Sequence, residues 1–499
     1  MIRLFKSAFF IFTLTICFCQ FASGQINKEY DIVLTGGRVI DPETKFDAIR
    51  NVGIANNRIE QISTEPLKGK LEINVSGLVV APGFIDLHIH GRTNKEQEYQ
   101  LHDGLTTALE LEWGIENLKE WYSTRKTKAL INYGASVCWP YERFKAIDKY
   151  KKGVNKLYQL SSKGESTIGE MTNTILPAKD EVLSPEQITQ TLNNIKTSLS
   201  EGGIGIGVPI GYLPKTNPNE MYRVFQLAGE LNALVFTHVR DPNIISIQEV
   251  ITNAVLTNAP LHIVHINSMS LGNIQLSLDM LNAAKKKGFD VTTELYPYTA
   301  GSTTLQSAMF SDGWQERLGI SYHDLQWEAT GERLTKETFE TYRKSGGVVI
   351  LHVMKPEWIK LGIAAPGVII ASDGMPYAPL AHPRTAGTFS RVLGKYVRED
   401  KVIDLMAALE KMTLLPAKRL EQIAPVMRFK GRIQIGADAD ITIFNPNTVI
   451  DKATFEKGLA FSEGIEHVIV NGVVALKNGK IVDNVFPGQP IYGRYKKYP

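Results

Sequence analysis

Residues that commonly bind metal ions stand at the ends of several apolar runs in this chain. His88 and His90 are separated by one residue, so a strand, with its period of two, places both imidazoles on one face. Imidazole and carboxylate groups are the ligands that zinc takes in hydrolytic sites, where the ion activates a water molecule. The residues that predict a site for one or two Zn²⁺ ions are His88, His90, Glu112, His238, His265 and Asp373.

Each of these residues alone has an ordinary structural explanation. A single His-x-His on a strand, or one buried histidine, is common without a metal, and an aspartate before glycine, as in Asp373-Gly374, is typical of a turn. Core packing alone, however, seldom places this many such residues at the strand ends of one barrel. The histidines that lack this position are interpreted as structural: His102, His262, His323, His352 and His467.

The elements that must position the site residues alternate between strand-like and helical runs. One helix is marked by Ser184 as N-cap, Pro185 at the first helical position and Gln187 two residues on, and its apolar residues recur on one face as far as Leu199. Eight strands with intervening helices predict an α/β fold, the (β/α)8 TIM barrel, whose chemistry lies at the carboxyl ends of the strands. The predicted strands are Phe84–His90, Leu105–Glu112, Leu130–Cys138, Ile204–Val208, Leu234–Val239, Leu261–Ile266, Val291–Tyr296 and Val368–Asp373.

Short strands punctuated by turns flank this central region on both sides. They predict one small β-sandwich domain built from residues 25–80 and 424–499, around a barrel formed by residues 81–423. A ninth strand-like run, Val348–His352, is assigned to an insertion in the barrel around residues 305–360.

The first 24 residues have the pattern of a secretory signal peptide. Arg3 and Lys6 precede an uncharged, strongly apolar run that ends in Ala22-Ser23-Gly24, and the run is shorter than the ~20 residues of a membrane-spanning helix. We therefore expect cleavage after Gly24, export to the periplasm or the medium, and no stable membrane anchor. Cys138 is then the single thiol of the mature chain, which excludes an internal disulfide.

The net charge of the chain is small. Its 55 Lys and Arg residues against 52 Asp and Glu residues give +3, so composition offers no reason to expect a nucleic-acid partner. A small-molecule substrate is expected instead, and a homo-oligomer is left open.

Longer strings around these residues resemble the amidohydrolase superfamily and, within it, the N-acyl-D-amino-acid deacylases, or D-aminoacylases. The segment 81–90, which ends in His88-Ile89-His90, is similar to the superfamily's first-strand signature. Evidence for the subfamily comes from Tyr296-Pro297-Tyr298 and from His382-Pro383-Arg384, and the similarity extends from about Tyr30 to about Gly488.

The resemblance implies a role for each matching residue. His88, His90 and Asp373 would bind one metal, and His238 and His265 the other. Asp373 would take the proton of the attacking water and pass it to the leaving amine. Arg384, Tyr296 and Ser302 would bind a free α-carboxylate on the substrate, which suits the planar fork of arginine.

The sequence departs from the D-aminoacylase pattern at two positions. A cysteine ligand expected after the second strand is replaced by the Glu112-Trp113-Gly114 string, and a lysine expected two residues after His265 is replaced by Asn267. Two dications close together need a bridging anion, and Glu112, nearer the rim than Glu110, is the preferred one, with Glu110 as the alternative. The loss of the lysine affects the expected substrate preference and not the expected reaction.

The predicted function is zinc-dependent hydrolysis of N-acyl-D-amino acids to a carboxylate and a free D-amino acid. Two alternatives stay open at this point. One is another amidohydrolase reaction, on a cyclic amide or an isopeptide-type dipeptide, because the superfamily uses the same ligands for many substrates. The other is a non-catalytic exported binding protein on the same barrel.

Overall fold

The computed structural model of the chain describes residues 28–165, 167–375 and 380–497. The predicted signal peptide lies outside these residues. Within the described ranges, no helix combines the length and the apolar character needed to cross a bilayer. Cys138 is a buried free thiol.

The strands follow one another along the chain as listed here: β1 (Glu29–Asp41), β2 (Phe46–Ala55), β3 (Arg58–Ser63), β4 (Lys68–Asn74), β5 (Val79–Pro82), β6 (Phe84–Asp86), β7 (Leu105–Ile115), β8 (Asn132–Cys138), β9 (Ile206–Pro209), β10 (Val235–His238), β11 (Leu261–Ile263), β12 (Val291–Leu295), β13 (Gly301–Thr304), β14 (Leu325–Trp327), β15 (Val348–Leu351), β16 (Val368–Ile370), β17 (Ile441–Phe444), β18 (Ile465–Val470), β19 (Val473–Lys477) and β20 (Lys480–Ile481).

The α-helices are α1 (Asn94–His102), α2 (Leu118–Arg125), α3 (Trp139–Lys145), α4 (Lys151–Lys163), α5 (Ile168–Ile175), α6 (Pro185–Ser200), α7 (Pro218–Leu231), α8 (Ile244–Thr257), α9 (Ile266–Ser270), α10 (Ile274–Lys286), α11 (Trp314–Leu318), α12 (Lys336–Ser345), α13 (Pro356–Ala364), α14 (Arg384–Arg391), α15 (Leu405–Leu409) and α16 (Leu415–Leu420). The capping box predicted for α6 is present, since Ser184 Oγ accepts from the backbone N–H of Gln187 and Gln187 Oε1 accepts from that of Ser184.

Eight parallel strands form the predicted barrel. Their order is β6, β7, β8, β9, β10, β11, β12 and β16, so each strand pairs with the next barrel strand in sequence. Beyond the last paired residues of β6 and β16, the N–H of His90 donates to the carbonyl of Gly374, and the N–H of Asp373 donates to the carbonyl of His88. These bonds join the first and last strands at the rim, and the (β/α)8 fold class is confirmed.

Strands from both ends of the chain form the second domain. Nine of them, β1–β5 and β17–β20, join in one continuous sheet, with β17 from the carboxyl-terminal part pairing antiparallel to β5. Apolar side chains from both parts pack in one cluster, which includes Leu34, Val52 and Ile441. A β domain built from the two termini is therefore observed.

The run around Val348–Leu351 lies outside the barrel, as predicted. Strand β15 is the middle of a three-stranded antiparallel sheet with β13 and β14. This small sheet has its own apolar cluster, which includes Phe310, Trp314 and Phe339. The insertion is thus a packed unit that stands between the seventh and eighth barrel strands.

Candidate active site

The six residues predicted to bind metal meet at the carboxyl-terminal mouth of the barrel. They form two groups, within each of which one possible ligand atom per residue lies within 4.8 Å of the others. All of these side chains are buried, and Glu112 belongs to both groups. The groups are His88, His90, Glu112 and Asp373 on one side, and Glu112, His238 and His265 on the other.

The two oxygens of Glu112 face different groups. Its Oε2 lies 3.2 Å from Nε2 of His88 and 3.2 Å from Nε2 of His90. Its Oε1 lies 2.8 Å from Nδ1 of His238 and 3.4 Å from Nε2 of His265. Asp373 completes the first group, with Oδ1 3.2 Å from Nε2 of His90. Glu112 therefore has the geometry of a bridging ligand.

Glu110, the alternative bridging residue, lies on the outer side of the first group. Its Oε2 is 2.9 Å from Nδ1 of His90, the nitrogen that faces away from Glu112, and its Oε1 accepts from the N–H of Trp113. A carboxylate in this position orients the imidazole instead of bridging two ions. Glu110 thus belongs to neither metal-binding group, whereas Glu112 belongs to both.

A buried carboxylate that sequence analysis left without a role, Glu294 on β12, supports His88 from behind. Its Oε1 lies 2.6 Å from Nδ1 of His88, and its Oε2 lies 3.0 Å from Nε2 of His262. Burial would raise the pKa of Glu294, but His88 and His262 lower it to about 2. Glu294 is thus ionised and fixes His88 with Nε2 toward the site.

Backbone conformation also positions the ligands. His265 and Asp373 have positive φ angles of 32° and 52°, a region that non-glycine residues seldom adopt and that is concentrated at functional sites. The buried carboxylate of Asp86 accepts from the backbone N–H groups of His88 and Ser372, so it links the loops that carry His88 and Asp373. His88 and Asp373 therefore stand just past their strands and not on them.

The charges of the cluster match what a divalent cation requires. Burial disfavours the charged form of His88, but the carboxylates of Asp373 and Glu294 raise its pKa well above the usual value for histidine. Burial likewise disfavours the charge on Glu112, yet the adjacent imidazoles hold the pKa of Glu112 well below its usual range. The site thus attracts positive charge at its centre, and its nitrogen and oxygen donors suit zinc.

Arg384, predicted to bind the substrate carboxylate, begins α14 beside Asp373. Its Nη1 lies 2.9 Å from Oδ2 of Asp373, and its guanidinium lies 4.5 Å from the ring centre of Tyr296. The side chain is 1% exposed, and among the described residues none of its three guanidinium nitrogens has an aligned hydrogen-bond acceptor. Buried donors of this kind are normally satisfied, so they indicate an anionic ligand.

Tyr296 and Ser302, the other predicted carboxylate contacts, line the same cavity as Arg384. Burial raises the pKa of Tyr296 to about 12, which keeps its hydroxyl protonated as a donor. The hydroxyl of Ser302 donates to Oε1 of Glu328 across 2.6 Å. Glu328 comes from the insertion, and no pattern in the sequence marked it as a site residue.

A cavity of about 740 Å³ opens over the metal-binding groups. The barrel supplies Trp113 and Tyr212 to its wall, and the insertion supplies Met309 and Glu328. Tyr212, a second residue that sequence analysis did not identify, joins the two parts through a contact of 3.1 Å between its hydroxyl and that of Thr303. The cavity is mostly apolar with a few polar groups, as is usual for small-molecule sites.

Asn267, which replaces the lysine of the D-aminoacylase pattern, is fully buried. Its side-chain amide donates to the backbone carbonyl of Tyr296 across 3.1 Å. The residue therefore supports the position of Tyr296 and adds no positive charge to the cavity.

Comparisons with known proteins agree with this geometry. Residues 279–476 match the model of the amidohydrolase family. The chain is 28% identical to the D-aminoacylase of Alcaligenes xylosoxydans xylosoxydans over 468 residues, which cover 89% of this chain and 94% of that protein. It is 27% identical to the N-acyl-D-glutamate deacylase of the same organism, over 90% of this chain and 94% of that protein. The resemblance to D-aminoacylases is thereby confirmed.

A solved structure supports the fold in the same way. The crystal structure of N-acyl-D-glutamate deacylase from Bordetella bronchiseptica superimposes with a TM-score of 0.77 at 22% identity, and the match covers 93% of this chain and 100% of that one.

Proposed function

We propose that this chain is a zinc-dependent amidohydrolase that cleaves the amide bond of N-acyl-D-amino acids and releases a carboxylic acid and a free D-amino acid. One observation carries the proposal: two metal-binding groups share Glu112, and beside them a buried guanidinium, that of Arg384, has no aligned acceptor. The first feature suits hydrolysis, and the second suits a substrate with a free carboxylate.

The relatives support this substrate class. Two of them are named as deacylases of D-amino-acid derivatives. The Bordetella structure contains zinc and a phosphonate inhibitor described as a mimic of the tetrahedral intermediate of the reaction. The same chemistry in this chain would require metal ligands, a proton acceptor and a carboxylate-binding group, and we assign each of these roles to residues of the site.

The metal ligands are the residues of the two groups. His88, His90 and Asp373 would bind one ion, His238 and His265 the other, and Glu112 would bridge them. Zinc bound here supplies Lewis acidity, which lowers the pKa of water and polarises the amide carbonyl.

Asp373 is the proton carrier in this scheme. Burial would raise its pKa, but Arg384 and His88 hold it well below the usual range, so its carboxylate is ready to accept a proton from the attacking water. Asp373 then donates that proton to the nitrogen of the leaving amine. Arg384 binds the α-carboxylate of the substrate through two parallel hydrogen bonds, and the neighbouring Tyr296 hydroxyl adds a donor.

The decisive experiment compares paired substrates. N-acetyl-D-leucine, N-acetyl-L-leucine and a cyclic amide without a carboxylate are incubated with the zinc-loaded protein, with and without a chelator. We expect hydrolysis of the D substrate alone and its loss on chelation. Cleavage of the cyclic amide in preference, or no hydrolysis of any N-acyl-D-amino acid by zinc-loaded protein, contradicts the proposal.

We also propose that the protein is exported and has no membrane anchor after cleavage of residues 1–24. Support comes from the sequence, where Arg3 and Lys6 precede an uncharged apolar run. The mass of the protein recovered from the periplasm tests the cleavage after Gly24, and sedimentation of that material gives its oligomeric state.

A further inference from the structure

We propose that Glu328 selects the amino-acid side chain of the substrate, and that the preferred substrates are N-acyl derivatives of basic D-amino acids, such as those of D-lysine and D-arginine. The inference rests on the proposed function and adds the substrate class to it. It depends on where Glu328 lies, on what surrounds its carboxylate and on the charge balance of the cavity.

Glu328 lies on the amino-acid side of the cavity. Its Oε1 accepts from Ser302, which stands on β13, and a Cβ on the adjacent Gly301 would lie 3.3 Å from the hydroxyl of Tyr296. Tyr296 in turn packs against the guanidinium of Arg384. One wall therefore runs from the carboxylate-binding arginine to Glu328, so a substrate bound at Arg384 directs its own side chain along this wall.

Among the described residues, the carboxylate of Glu328 has no cation at ion-pair distance, and Arg384 acts on it only from farther away. Its side chain is 2% exposed, and among the described residues no lysine, arginine or histidine nitrogen forms an ion pair with it. A buried carboxylate without a counter-ion is costly, and a cation delivered by a ligand removes that cost. Burial raises the pKa of Glu328 to about 7, although the hydrogen bond from Ser302 and the charge of Arg384 lower it, and a cation bound beside the carboxylate would stabilise its charged form.

The hydrogen bond from Ser302 orients the carboxylate of Glu328. The hydroxyl of Ser302 donates its single hydrogen bond to Oε1 of Glu328. In this arrangement it does not donate to a substrate carboxylate. The pair presents acceptor oxygens to the cavity. Acceptors recognise donor groups, of which the ammonium of lysine and the guanidinium of arginine are the strongest.

The rest of the cavity wall does not offset this preference. Outside the metal-binding groups and Arg384, the charged residues that line it in the described part of the chain are Glu328 and Lys179. Lys179 is partly exposed, so water and salt screen its charge, whereas the charge of Glu328 is desolvated and discriminates more strongly. Asn267 occupies the position where the resemblance predicted a lysine, and its amide is bound to the backbone of Tyr296.

The test is a panel of N-acetyl-D-amino acids that differ in the charge of the side chain. Values of kcat/KM are measured for the D-lysine, D-arginine, D-norleucine and D-glutamate derivatives with zinc-loaded wild type and with Glu328→Gln. We expect wild type to favour D-lysine and D-arginine over D-norleucine by roughly 10- to 100-fold, the effect of one hydrogen bond to a charged group. In Glu328→Gln this ratio should fall toward one.

The matched control is Glu332→Gln, the same change at an exposed position of the same insertion, which should leave the ratio and the rates unchanged. Inhibition of wild type by D-lysine and by D-norleucine gives a second readout that needs no variant, and D-lysine should inhibit more strongly. This readout decides the question if Glu328→Gln fails to fold.

The outcomes separate the two proposals. A wild-type ratio near or below one, or a ratio that Glu328→Gln does not change, overturns the role of Glu328 while the deacylase function stands. Failure of zinc-loaded wild type to hydrolyse any member of the panel overturns the deacylase function, and the role of Glu328 falls with it.

Discussion

Nδ1 of His88 donates to Oε1 of Glu294 across 2.6 Å, and this bond leaves Nε2 of His88 facing Glu112 and Asp373. The other oxygen of Glu294 faces His262 on β11, so this buried carboxylate of the seventh barrel strand links His88, just past the first strand, to the sixth strand behind the metal-binding groups. A carboxylate of this kind fixes the tautomer and ring orientation of a ligating histidine and increases its basicity. The affinity of the site for zinc thus depends on a residue that does not face the cavity.

Replacing Glu294 with glutamine should weaken zinc binding by roughly 10- to 100-fold, because the amide cannot accept from both imidazoles as the carboxylate does. Competition with a chromogenic chelator measures the affinity. Thr292→Val is the control, since it removes the hydroxyl 2.7 Å from Nδ1 of His262 and leaves the bond between Glu294 and His88 in place. Equal zinc affinities in the two variants would show that Glu294 does not support His88.

Glu112→Gln should reduce the number of zinc ions bound per chain, because the neutral amide cannot bridge two cations. Glu110→Gln should keep the wild-type number with weaker affinity, since Glu110 contacts the outer nitrogen of His90. Metal analysis after dialysis against dilute zinc distinguishes the two. The rise in melting temperature on adding zinc gives a second measure, and zinc at 100 times its Kd adds about 2.7 kcal/mol to the free energy of unfolding. A greater loss of zinc in Glu110→Gln would assign the bridge to Glu110.

Much of the site could be predicted from sequence because the candidate metal ligands follow the apolar runs that form the barrel strands. His88, His238 and Asp373 each follow an apolar run, and parallel strands place such ends at one rim. The choice of Glu112 over Glu110 followed from the depth of the two residues along a single strand. The observed distances agree with this interpretation, although the first strand ends at Asp86 and His88 lies beyond it.

Residues that do not follow the alternation of barrel strands and helices could not be found in this way. Glu328 follows β14, a short strand of the insertion, and its place beside Ser302 depends on the pairing of β13 and β14 with the two edges of β15, which periodicity does not encode. Tyr212 ends a 3-10 helix of three residues directly after β9, and no sequence pattern marked it. His262 lies on β11, and its contact with Glu294 on β12 could not be predicted without knowing which strands are adjacent.

Asp373→Asn should preserve the fold and lower kcat by roughly 10²- to 10⁴-fold, the usual contribution of a positioned acid or base. Asparagine keeps the size of the side chain and an oxygen for the metal but cannot carry the proton. The rates are compared at equal zinc content per chain, so that loss of metal is not mistaken for loss of proton transfer. Near-normal turnover at full zinc content would remove Asp373 from the proton transfer.

Arg384→Lys should raise KM for N-acetyl-D-leucine and lower kcat/KM by roughly 10- to 100-fold, because lysine retains the charge but not the two parallel donors. The variant should lose much less on N-acetyl-D-leucinamide, which has no carboxylate. Arg391→Lys is the matched control, since Arg391 also packs on a tyrosine ring at 4.5 Å and pairs with an aspartate, but it does not line the cavity. Equal losses of Arg384→Lys on both substrates would exclude contact with the carboxylate.

The preference for basic substrates should increase as the pH rises through about 7. Burial raises the pKa of Glu328 to that value, so its carboxyl group is neutral below pH 7 and charged above it, and only the charged form attracts a cation. Of its neighbours, Ser302 carries no charge, and burial together with Arg384 keeps the pKa of His382 well below the usual value, so His382 stays neutral.

The measurement is the ratio of kcat/KM for N-acetyl-D-lysine to that for N-acetyl-D-norleucine between pH 5.5 and pH 8.5, a range chosen to span roughly one and a half units on each side of the expected pKa. Ionisations at the metal site affect the kcat/KM of both substrates equally, so their effect divides out of the ratio. It should rise with a midpoint near pH 7 in wild type and stay flat in Glu328→Gln, because the amide does not ionise. A rise of the same size in the variant would assign the titration to a group other than Glu328.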